Sequence, residues 1–102
     1  MGLLDMLGFG SKTENVKDFV DRGAVMIDVR TVGEFQQGHI KGAKNIPLDM
    51  IFSKVAEIKK LNKPVIVYCR SGMRSSQAAS VLKNSGIEVI NGGGYESLES
   101  KL

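Results

Sequence analysis

Pro64-Val65-Ile66-Val67-Tyr68-Cys69-Arg70-Ser71-Gly72-Met73-Arg74-Ser75 is the stretch that decides the fold. A β-branched run bounded by proline predicts a strand covered on both faces, with Cys69 the first residue beyond it. Ser75 to Ser85 then places Ala78, Ala79, Val81 and Leu82 on one helical face, with Gly86 as the stop. Upstream, Ala24-Val25-Met26-Ile27-Asp28-Val29 is a second continuous apolar run and reads as another buried strand. Thr13 to Arg22 before it carries Val16, Phe19 and Val20 at helical spacing, and Gly23 ends that helix. Thr31-Val32-Gly33-Glu34 has the spacing of a capping box and opens a short helix ending at Gly38. Ala43 to Ile46 predicts a very short strand closed by Pro47, and Leu48 to Leu61 a helix with Ile51, Val55 and Ile58 on one face. Glu88-Val89-Ile90 is a last short strand before Gly92-Gly93-Gly94 turns the chain into a stretch with Tyr95 and Leu98. Strands alternating with helices in this way make an α/β domain around a parallel sheet.

Composition narrows the functions such a domain can carry. The chain has 102 residues, 42% of them hydrophobic and 25% charged, and its net charge is 14 − 11 = +3. That is one ordinary globular domain, mildly basic and without a Lys/Arg block. It makes a nucleic-acid face a weak reading and fits a small anionic substrate as well, so no nucleic-acid partner is expected. A single Cys excludes an intramolecular disulfide, and one Cys with one His excludes a Cys/His zinc site, so no metal is expected. A reducing cytoplasmic compartment follows from that cysteine usage. Residues 1–12 form a separate apolar segment, with the domain at 13–102. Met1 to Phe9 lacks a cationic start and is interrupted by Asp5, so it is no signal peptide. Met6 stands where myristoylation requires Ser or Thr. The segment is expected to form a short helix docking Leu3, Leu4 and Leu7 on the domain. No membrane insertion is expected, since no run approaches the roughly eighteen apolar residues of a spanning helix. The protein is expected to be a monomer or weak dimer.

The chemistry is concentrated in Cys69 to Ser75. Ligands of parallel α/β sheets bind at the carboxyl ends of strands, which is where Cys69 lies. Gly72 permits a turn closed to other residues, and the helix that follows opens with unpartnered N–H groups. Those donors, the helix dipole and the Arg70 and Arg74 cations favour an anion at the loop centre, and a thiolate there is stabilised in the same way. Loop length selects among chemistries. A cysteine phosphatase rings its phosphate with five residues between Cys and Arg, whereas only Arg70, Ser71, Gly72 and Met73 separate Cys69 from Arg74. The tighter ring suits one sulfur atom beside the cysteine better than a tetrahedral phosphoryl group.

The loop CRSGMRS resembles the C-R-x-G-x-R-[ST] pattern of the rhodanese-like, single-domain thiosulfate sulfurtransferases. Asp28-Val29-Arg30, Glu34-Phe35, Gly38-His39-Ile40-Lys41-Gly42-Ala43, Asn45-Ile46-Pro47 and Gly93-Gly94 extend the resemblance over about residues 13 to 98. It implies a four- to five-stranded parallel sheet with helices on both faces, and sulfur transfer through a Cys69 persulfide without any cofactor. Arg70 and Arg74 orient the anionic donor in that picture, Ser71 and Met73 shape the pocket mouth, Gly72 allows the turn, and Ser75 caps the helix. Among supporting residues, Asp28 is expected to pair with an arginine of the loop. Arg30 either reaches the cleft or pairs with Glu34, and His39 reads as a structural turn residue. The aromatic residue usual after the glycine pair is Leu98 here, so that wall is expected to pack differently. The family's first strand is either absent or hidden within Phe9 to Lys12. The alternative functions are a persulfide carrier loaded by a partner protein and a cysteine-dependent phosphatase or arsenate reductase.

Overall fold

A computed structural model describes residues 15–102; the expectations for the apolar segment and for a strand within Phe9 to Lys12 fall outside these residues. Strands β1 (Val25–Asp28), β2 (Lys44–Asn45), β3 (Val65–Cys69) and β4 (Val89–Gly94) form one sheet in the order β2-β1-β3-β4. All three pairings are parallel. Helices α1 (Val16–Asp21), α2 (Val32–Gln37), α3 (Leu48–Lys60), α4 (Met73–Asn84) and α5 (Tyr95–Glu99) make the connections and the ends. The chain first builds outward from β1 to β2 and then crosses back to β3. The strand order therefore reverses between β1 and β3, and parallel sheets hold ligands in the crevice at such a point.

Every residue of β3 is buried, and its side chains alternate between two cores. Val65, Val67 and Cys69 join Ile51 and Ile58 of α3 and Ala78 and Leu82 of α4 on one face. Ile66 and Tyr68 join Phe19 of α1, Ile40 and Leu98 of α5 on the other. This is why the run reads as continuously apolar rather than alternating. Leu98, which stands where an aromatic residue is usual, is fully buried in this second core. Val20 departs from its expected inward face and stays 42% exposed, because α1 contributes Phe19 and Val16 to the core.

Element boundaries differ from expectation on both sides of the loop. The last strand does not stop at Ile90 but continues through the glycines to Gly94. Val67 pairs with Asn91 and Tyr68 with Gly93, so Gly92 is an extra residue, a β-bulge within the ladder. Beyond it, a Cβ on Gly94 would lie 2.5 Å from the Arg70 carbonyl oxygen, so only glycine lets β4 run against the loop after β3. The helix after that loop begins at Met73 rather than Ser75, with Gly72 as its N-cap at φ 100°. Leu98→Ala, which empties the centre of the α1–α5 core, is expected to lower unfolding stability by about 2–5 kcal/mol. Urea denaturation followed by circular dichroism measures it.

Candidate functional site

Cys69 is the last residue of β3 rather than the first beyond it, and it is fully buried. Its sulfur lies 3.0 Å from the Gly72 amide, 3.4 Å from the Ser75 amide and 3.3 Å from the Ser75 hydroxyl. Burial pushes the thiol up, but the Ser75 hydroxyl and the Ser75, Gly72 and Ser71 amides outweigh it, and the thiol sits below its ordinary value. The loop thus makes an anion nest around the sulfur itself. Ser75 does not cap α4, because the helix starts two residues earlier. Its side chain falls in the first turn, turned inward to the sulfur and to Asn91 Oδ1 at 2.7 Å.

The two loop arginines part company. Arg74 donates to both carboxylate oxygens of Glu34, at 2.8 and 3.1 Å, a two-pronged pair joining α4 to α2. Glu34 also closes the expected capping box with Thr31. Donation from Arg74 and then from the Thr31 amide draws the Glu34 carboxyl down to about 2. Arg70 has no such partner among the described residues and faces an open cleft of about 800 Å³, which Ser71, Gly94, Tyr95 and Glu96 also line. Met73 is 74% exposed and lies outside that lining, so it does not shape this cleft.

Asp28 does not pair with the loop. Its carboxylate, fully buried, takes the Arg30 guanidinium at 2.6 and 3.0 Å and the Arg30 amide at 2.8 Å. The turn after β1 folds Arg30 back onto its neighbour, while Arg74 is already committed to Glu34. Arg30 pairs with Asp28, not with Glu34. It does reach the cleft: it donates to the Gly38 carbonyl at 2.7 Å and lies 4.6 Å from the Tyr95 ring centre, in the cleft wall. His39 stacks on Phe35 at 3.7 Å, and its Nδ1 is 2.9 Å from the Phe35 carbonyl, a structural arrangement. No group of three or more His, Cys, Asp or Glu among the described residues is placed to hold a metal ion.

Asn91 is the residue that sequence reasoning missed. Its Nδ2 donates to the Gly72 carbonyl at 2.9 Å, and its Oδ1 accepts from the Gly93 amide at 2.9 Å as well as from Ser75. One carboxamide therefore ties β4 to the end of the loop at Gly72 and to Ser75 in the first turn of α4. An Asn directly followed by glycines, able to bond the backbone amide two residues on, is the signal that carried this information.

With this geometry in place, the chain matches the family model for the rhodanese-like domain over residues 12–101. The chain belongs to the rhodanese-like domain family. It is 42% identical over 83 residues to the uncharacterized protein YqhL of Bacillus subtilis, a match covering 79% of this chain and 65% of that one. It is 39% identical over 74 residues to the thiosulfate sulfurtransferase PspE of Escherichia coli, covering 71% of each. A solved structure described as a rhodanese with anions from E. coli superimposes with a TM-score of 0.68 at 38% identity, covering 74% of this chain and 91% of that one. Among the described residues no helix is long and apolar enough to cross a membrane.

The Glu34–Arg74 pair gives this rhodanese-like domain an acid-sensitive link. The carboxyl titrates lower in the folded chain than its ordinary 4.5, so its contribution is complete above about pH 4.5 and lost as pH falls towards 2. Glu34→Gln is expected to cost about 1 kcal/mol at pH 7, the pair being partly screened by solvent. Urea midpoints should show that gap narrowing at pH 3 and closing near pH 2.

Proposed function

We propose that the chain is a sulfurtransferase that takes a sulfane sulfur from thiosulfate or a similar donor and carries it as a persulfide on Cys69. The observation that carries this reading is the nest of donors, at 3.0 to 3.4 Å, on a sulfur whose thiol is held below its ordinary value. The Cys69 thiolate attacks the outer sulfur of thiosulfate. A new S–S bond forms, the bond from that sulfur to the sulfonate group breaks, and sulfite leaves with the electron pair. A thiolate or cyanide acceptor then attacks the outer sulfur of the persulfide, and Cys69 departs as the thiolate that began the cycle. Arg70, in the cleft wall without a partner among the described residues, meets the anionic donor. Arg74 acts at one remove, since Glu34 neutralises it in place before any donor arrives. Kinship with proteins named as thiosulfate sulfurtransferases supports the reaction type, and a chain with one thiol fits a reducing, cytoplasmic setting.

A second reading, a carrier loaded by a partner protein, draws on the cleft. Its volume of about 800 Å³ is far more than a thiosulfate ion fills, and it suits a larger sulfur donor or acceptor. Intact-protein mass spectrometry separates the two readings. Wild type treated with thiosulfate should gain about 32 Da, one sulfur, which Cys69→Ser does not gain and cyanide removes as thiocyanate. A folded wild type that gains nothing from thiosulfate but is loaded by a protein persulfide overturns the first reading in favour of the second. Arg70→Ala is expected to lower kcat/KM for thiosulfate by about 10- to 100-fold, the worth of a charge-assisted contact, with unchanged unfolding behaviour.

A further inference from the structure

The Ser75 hydroxyl stands between two acceptors and has one proton. Its oxygen is 2.7 Å from Asn91 Oδ1 and 3.3 Å from the Cys69 sulfur. The orientation of the Asn91 carboxamide is fixed by its other contacts. The Gly72 carbonyl can only accept, so it takes the Nδ2 side, and the Gly93 amide can only donate, so it takes Oδ1. Oδ1 therefore faces Ser75 purely as an acceptor, and the 2.7 Å contact requires the hydroxyl proton to lie on that line. In that arrangement Ser75 offers the sulfur a lone pair, which a thiol can use by donating its own S–H. A thiolate cannot use it and needs the proton turned the other way.

We infer that Asn91 is a positioning residue for Cys69: by holding the Ser75 hydroxyl proton at Oδ1, it sets how far that hydroxyl is available to donate to the sulfur. In the thiol state the chain runs from Cys69 S–H to Ser75 to Asn91, with every group satisfied. When the sulfur becomes anionic the hydroxyl rotates towards it, and Oδ1 keeps the Gly93 amide. Asn91 opposes that rotation by the bond it gives up. It thereby restrains the thiolate that the loop amides favour, and the restraint applies again each time Cys69 is released from its persulfide. This deepens the proposed function and rests on Cys69 being the reacting group.

The charged and titratable groups around the sulfur stay constant in the test. They are Arg70 in the loop and Arg74 on α4 with Glu34 of α2 behind it, while the Asp28–Arg30 pair at the end of β1 and the Tyr68 phenol belong to the other face of β3. Val89–Gly94 of β4 brings no titratable side chain. Asn91 is exposed, so its truncation leaves the core intact. The experiment is the pH dependence of Cys69 alkylation by iodoacetamide in wild type, Asn91→Ala, Ser75→Ala and the double variant.

Asn91→Ala frees the hydroxyl for the sulfur and should lower the apparent thiol pKa by about half a unit, the size of one redirected hydrogen bond. Ser75→Ala should raise it, and Asn91→Ala should have no further effect in that background. If Asn91 served only to brace the loop through Gly72, its loss would loosen the amides from the sulfur and raise the pKa. An upward shift, no shift, or an equal shift in both backgrounds overturns the inference. The sign in Asn91→Ala alone decides the matter if Ser75→Ala does not fold. Alkylation needs no sulfur donor, so a protein that shifts as stated but transfers no sulfur would fail the proposed activity and leave this inference standing.

Discussion

A sulfur shut away from solvent can hold a negative charge only where the protein supplies the hydrogen bonds that water would have given. Cys69, fully buried at the end of the central strand β3, meets that demand with the amides and hydroxyl of the six residues that follow it. The chain must turn within three residues and start α4 at once so that its first free N–H groups point back. Gly72 at φ 100° makes that turn. The loop must also be supported from the side, and β4 gives that support by running its glycines against it. The bulge at Gly92, the contact of Gly94 on the Arg70 carbonyl and the position of Asn91 all follow from this need.

Around this nest the charged residues divide into two kinds. Arg30 and Arg74 are held by carboxylates and serve as joints: Arg30 locks the segment after β1 through Asp28 and Gly38, and Arg74 locks α4 to α2. Tyr68, on the opposite face of β3 from Cys69, accepts from the Ile40 amide at 3.0 Å and ties the far core to the same corner. Burial, with Asp28 beside it, holds that phenol above its ordinary value, so it stays a neutral hydroxyl. The Arg30 and Glu34 charges in the cleft wall are thus already paired, whereas Arg70 and Glu96 line it without an ion-pair partner among the described residues.

The strands, the helices between them and the place of Cys69 where a strand meets a glycine turn were legible because each rests on local pattern. Five apolar residues after a proline, a Thr-to-Glu capping spacing and a cysteine opening a glycine turn need no partner to be recognised. What could not be read depended on residues far apart in the chain. Glu34 and Arg74 are forty residues apart, and the capping box already gave Glu34 a sufficient local explanation. Ser75 was expected to cap α4, yet the left-handed Gly72 took that place and freed Ser75 for the sulfur. Glycine's poor strand propensity pointed to a turn at residues 92–94, and close approach of the loop overrode it. The Asp28 partner was misread for the opposite reason, since a near neighbour satisfied a carboxylate for which a distant arginine had been expected.

Loop length gains its meaning from where the donors point. In a ring that binds a phosphoryl group, the amides must reach oxygens lying beyond the sulfur. Here the Gly72 and Ser75 amides end on the sulfur itself, at 3.0 and 3.4 Å, and the turn holds no further residue to widen the ring. A second sulfur bonded to the first would extend the anion outward by only one atom. A tetrahedral group carrying three oxygens requires several donors to turn away from the sulfur together, against the Gly94 contact that pins Arg70 and the Asn91 bond that pins Gly72. The same contacts that let a buried thiolate exist therefore narrow what it can carry.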